Sequence, residues 1–78
     1  MKPVLRTMEY KPCGLWAEVS RLPCDSTDEA LSLLDTSVET YRENGWAITY
    51  PGPSRDYAEC IGPNGLHLCL AVVYPEER

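Results

Sequence analysis

The sequence predicts a single small α+β domain of order β-β-α-β-β-β, in which an antiparallel sheet carries one amphipathic helix packed on one face. Three observations predict it. Strand-forming segments, two before and three after, flank one long stretch of helical periodicity. That stretch is bracketed by a capping box and a glycine stop, and the first and last strand pairs are each joined by a Pro-x-Gly turn. At 78 residues there is room for one hydrophobic core and no second domain.

Residues 4 to 10 and 15 to 22 are rich in strand formers and are joined by Lys11-Pro12-Cys13-Gly14. Proline suits the second position of a type I turn and glycine the left-handed position after it, so this is a three-residue hairpin with a bulge. Pro23 ends the second strand because it cannot donate to a ladder. The helix follows. Ser26 and Glu29 form the capping box, Asp25 and Asp28 favour the positive end of the dipole, and Asn44-Gly45 supplies the stop, giving a helix from Thr27 to Asn44. At about 100° per residue, Ala30, Leu31, Leu34, Val38 and Tyr41 share one side, with Asp28, Ser32, Asp35, Glu39 and Glu43 opposite. Trp46 to Tyr50 alternates as a half-buried strand, and Pro51-Gly52-Pro53-Ser54 is a rigid exposed loop. Residues 56 to 62 and 66 to 74 form a second hairpin around Gly62-Pro63-Asn64-Gly65. A type I turn with a glycine bulge pairs Cys60 with Leu68 and Ala58 with Leu70.

Composition narrows the function classes. Apolar residues make up 44% and charged residues 24%, an ordinary globular balance. No stretch approaches the roughly 18 to 20 apolar residues of a membrane span, so no membrane role and a cytoplasmic location are expected. The net charge of −5, with bases scattered among acids, disfavours direct nucleic-acid binding. Cysteines separated by ten, thirty-five and eight residues lack the close pairs that zinc requires, and Cys13 and Cys24 lie about 25 Å apart along a strand, so four free thiols, mostly unreactive because buried, are expected. No metal or cofactor is expected. His67 is the sole histidine and sits about 6–7 Å from Cys69 along the strand, too far to activate it directly. No catalytic residue is assigned, and no phosphate loop or nucleophile elbow is present.

Two features exceed what folding asks. Residues 25 to 45 hold six of the twelve acids but, in Arg42, only one of the seven bases, so the whole net charge belongs to the helix. Asp35, Glu39 and Glu43 recur at i, i+4, where like charges repel. The second feature is the last strand, apolar on both faces although one helix covers only one. Tyr57 and Ile61 share its second face with Cys69, Ala71 and Val73, a contiguous patch that Trp16 or Tyr10 extends and that self-association would bury. A sheet curled so that the first hairpin covers the patch is the alternative.

In size, acidity and plan the chain resembles the small inhibitors made by phages and mobile elements, notably anti-CRISPR proteins, several of which present carboxylates where the target expects phosphates. The likeness is one of class, resting on Asp28, Asp35, Glu39 and Glu43, with no family motif along the chain. It implies a non-enzymatic protein-binding module that occludes a basic nucleic-acid-binding surface of a host defence complex in the host cytoplasm. Asp28, Ser32, Asp35, Glu39 and Glu43 would meet the partner, and Tyr57, Ile61, Cys69, Ala71 and Val73 would form a homodimer. Two other readings stay open: a small-molecule sensor or minimal enzyme with a pocket lined by Trp16, Trp46, Tyr50 and Tyr57, and an antitoxin or assembly subunit stable only with its cognate chain.

Overall fold

The computed structural model describes residues 2–53 and 55–74. The elements are β1 (Val4–Tyr10), β2 (Trp16–Pro23), α1 (Thr27–Glu43), β3 (Ala47–Thr49), β4 (Tyr57–Ile61) and β5 (His67–Val73). All five strands form one sheet in the order β2-β1-β5-β4-β3, and every pairing is antiparallel. The predicted α+β class and strand-helix order hold. Pro23, expected to end β2 from outside, is instead its last residue, opposite Val4. An edge strand tolerates this, because one side of its backbone has no ladder to complete. Ser54, the last residue of the expected loop, lies outside the described residues, and residues 51–53 are exposed.

Local chemistry sets each boundary. Ser26 Oγ accepts the Glu29 N–H at 3.2 Å, while the Glu29 carboxylate turns back to the N–H of Asp25, one residue before the position a standard capping box would use. At the other end Gly45 adopts φ +89°, the Trp46 N–H reaches the Tyr41 carbonyl and the Gly45 N–H that of Arg42. Those two bonds make a Schellman motif, and its accompanying apolar contact is the Tyr41–Trp46 ring pair with centroids 4.7 Å apart. The hairpin turns are chemically alike: Lys11 N–H to Leu15 O and Gly14 N–H to Lys11 O in the first, Gly62 N–H to Leu66 O and Gly65 N–H to Gly62 O in the second. Glycines 14 and 65 take the left-handed conformation in each.

The register pairs Cys60 with Leu68 and Ala58 with Leu70, as expected. It places Leu5, Ala58, Cys60, Leu68, Leu70 and Val72 beneath α1, whose Ala30, Leu34 and Val38 complete the core. Trp46 closes one end of this layer, packed so near Gly62 that a Cβ there would stand 3.1 Å from the indole. The helix packs on β1, β3, β4 and β5 and makes no contact with β2. The first hairpin therefore continues the sheet sideways and forms no second layer. No described helix is long and apolar enough to cross a membrane.

Candidate functional site

Two surfaces remain once the core is accounted for. The first is the outer side of α1, where Asp28, Ser32, Asp35, Glu39 and Glu43 are all exposed on one stripe. The helical spacing brings them together as the sequence predicts, but the row is not free of cations. Arg42 pairs with Glu39 one turn away, and Arg55, from the segment before β4, lies 3.7 Å from Asp35. Lys2 pairs with Asp25 at 3.3 Å near the helix start. The Glu39–Arg42 spacing of i, i+3 was readable in the sequence, whereas Arg55 reaches α1 only because the β3–β4 connection folds beside it. These pairs offset the charge of Asp25, Asp35 and Glu39. Asp28 and Glu43, at its two ends, have no cation partner among the described residues.

Beside the stripe runs a cleft of about 550 Å³ lined by Leu31, Ser32, Asp35, Glu39 and Arg55. The Arg55 guanidinium lies over the Tyr50 ring, 4.3 Å from its centroid, and the Tyr50 hydroxyl donates to Asp35 at 3.3 Å. Carboxylate, aromatic face and aliphatic floor thus converge on one guanidinium, the combination that recognises a basic side chain.

The second surface is the sheet face away from α1. Its register sets side chains in rows across the strands. One row runs Trp16, Tyr10, His67, Ile61, Ala47; the next runs Glu18, Met8, Cys69, Glu59, Thr49; a third runs Arg21, Arg6, Ala71, Tyr57. All five residues expected to form the apolar patch lie on this face. Tyr57 and Ile61 are exposed, Ala71 and Val73 are half-buried, and Cys69 is 5% exposed. Side chains of neighbouring strands screen the centre, since Arg6, Met8, Trp16 and Tyr57 rim a hollow of about 320 Å³ over Cys69, Ala71 and Val73. Arg6 and Met8 were missed at the sequence level, because only the β1–β5 pairing brings them here.

Ionisable groups on this face are tied to one another. Glu18 accepts from Arg21 at 2.9 Å and from Arg6 at 3.1 Å, and the Arg21 hydrogen bond leads in holding its carboxyl below the ordinary range. His67 Nε2 meets Glu59 at 3.2 Å, with its ring flanked by Trp16 at 5.2 Å and Tyr10 at 6.0 Å. Cys69 Sγ and the Tyr57 hydroxyl share a hydrogen bond, and this bond is the main reason the phenol is pushed up to about 12. Burial raises the Cys69 thiol, and burial also raises Cys60, on the opposite face, to about 11. Neither is a ready nucleophile at neutral pH. All four cysteines are unpaired. Among the described residues no three histidine, cysteine or acidic side chains are placed to hold a metal.

The aromatics of the pocket alternative separate. Trp16 and Tyr57 line the hollow on the bare face, while Trp46 and Tyr50 pack against the core on the helix side. Comparison with protein-family models, with curated proteins and with solved structures finds no match to this chain.

Proposed function

We propose that this chain is a non-catalytic protein-binding module that occludes a basic surface on its partner with the outer face of α1. The observation that carries the reading is the cleft beside the helix, in which Arg55 already rests on Tyr50 next to Asp35. An arginine or lysine from a partner would meet the same carboxylates by displacing or joining this exposed internal cation, which is held by a weak pair. From Asp28 to Glu43 the stripe spans about 22 Å at about 1.5 Å per residue, enough to follow several phosphate positions in a nucleic-acid channel. An inhibitor of a nucleic-acid-handling complex, phage-encoded in the manner of anti-CRISPR proteins, is the role this surface suits. The raised cysteine thiols and the pairing of His67 with Glu59 favour binding over catalysis.

An amide NMR titration with an arginine-rich peptide tests the reading. The largest shifts are expected at Ser32, Asp35, Glu39 and Arg55, shrinking as salt is raised and vanishing in Asp35→Lys/Glu39→Lys. Absence of shifts at low salt, or shifts centred on Glu18 and Glu59, would sink it.

A further inference from the structure

We infer that the bare sheet face is a homodimer interface in which a second copy of this chain packs across a two-fold axis running along β5. This inference uses a surface opposite to the acidic helix and does not depend on the role proposed for it.

The edges of the sheet direct a partner to the face. β2 carries a bulge at Val19 and ends in Pro23, and β3 is three residues long and followed shortly by Pro51. Neither edge offers a regular ladder on which to add a strand. The face itself has the area. Four to five strands at about 4.8 Å spacing and about seven residues at 3.4 Å give roughly 500 Å² per copy. Two copies then bury about 1,000 Å², the lower bound of a specific interface, so the dimer is reversible and concentration-dependent.

The chemistry of the face matches a two-fold axis along β5. To one side, β1 and β2 hold Arg6 and Arg21 against the single Glu18, leaving an excess of one positive charge. To the other, β4 holds Glu59. The axis places β1 over β4 of the copy, and β4 over its β1. Arg6 then stands over the partner's Tyr57 and within a side chain's reach of the partner's Glu59, and the reciprocal contact repeats on the far side. An isologous interface requires this kind of antisymmetry, residue i meeting j and j meeting i.

Shape follows the same operator. Tyr10 and Trp16, 44% and 41% exposed, fall over Ile61 and Ala47 of the partner subunit, so large side chains meet one exposed aliphatic and one small residue. On the axis itself His67, Cys69, Ala71 and Val73 each meet their own copy, and the small Cys69 and Ala71 at its centre allow the sheets to approach the ordinary spacing of about 10 Å. The hollow lined by Arg6, Met8 and Trp16 lies on the β1 side, under the position taken by the partner's Tyr57.

The test is a charge swap read by light scattering and sedimentation from micromolar to millimolar protein. Wild type is expected to pass from monomer to dimer over that range. Arg6→Glu and Glu59→Arg are each expected to remain monomeric, because each sets like charges against each other twice. An equimolar mixture of the two variants, and the double variant Arg6→Glu/Glu59→Arg, should regain the dimer. Recovery in the mixture also demonstrates that both single variants are folded. A wild-type chain that stays monomeric throughout overturns the inference, as does a dimer indifferent to both swaps or a double variant that stays monomeric. Asp35→Lys/Glu39→Lys should dimerise like wild type, which separates this result from the fate of the helix reading.

Discussion

Beneath α1, strands β4 and β5 present Ala58, Cys60, Leu68, Leu70 and Val72, all buried. From their other side the same strands present Tyr57, Glu59, Ile61, His67, Cys69, Ala71 and Val73, of which Cys69 alone is buried. The difference lies in what supplies the cover. On the first face a helix brings Leu34 and Val38 down as a second layer, and burial is complete. On the second, long side chains from adjacent strands lean inward and shield only the middle. Apolar content alone does not make a core; a second layer does.

Cutting into the covered face should have the largest effect. Leu34→Ala removes a fully buried side chain and is expected to cost about 2–5 kcal/mol, lowering Tm by about 10 °C or more in a domain of this size. Thermal melting followed by circular dichroism reads it, and a loss below about 1 kcal/mol would show that the helix layer is loosely packed.

A second difference is carried by protons. Burial lifts the Cys60 thiol from 9.0 to about 11 in the folded chain. The unfolded chain releases that proton first, so the folded state binds more protons between these values and stability falls as pH rises through the window. Below about pH 9 the contribution is intact. Denaturant midpoints measured across the alkaline range should decline more steeply for wild type than for Cys60→Ala, even though the variant starts lower. Equal slopes would mean that the thiol is already hydrated in the native protein.

Much of the covered face was legible in the sequence. Ser26, Glu29, Asn44 and Gly45 mark the helix ends by backbone chemistry that acts within a few residues, and the turn glycines set the hairpin register in the same way. Ser26→Ala should therefore cost about 1 kcal/mol through its lost cap, read by the same melting experiment. A negligible change would mean that the Glu29 bond to Asp25 holds the first turn alone. The bare face was only partly legible. The two-sided apolar run of β5 announced Cys69, Ala71 and Val73, but the strand order did not follow from any local pattern, so Arg6 and Met8 were not seen beside them. Likewise the acidic stripe was plain from helical spacing, while the pairing of its Asp35 with Arg55 depends on a loop that no periodicity describes.

The smallest effect belongs to the bare face. Ile61→Ser, at a site 48% exposed, should change the stability of dilute protein by no more than about 0.5 kcal/mol. A larger loss in dilute solution would mean that this face already contributes to the core of the single chain.

Strand order carries a consequence for how the chain folds. The middle of the sheet is the pairing of β1 with β5, which joins Val4 to Val73, whereas β1–β2 and β4–β5 are local hairpins. Closing the long loop between the hairpins is the entropically costly event, and it is expected to set the folding rate. Until β5 arrives, β1 is itself an edge. The finished protein blunts its β2 edge with the bulge at Val19 and with Pro23 and its β3 edge by shortness, but β1 has no such device. During synthesis, or after partial unfolding, that regular seven-residue strand is the place where one chain can pair with another and begin to aggregate.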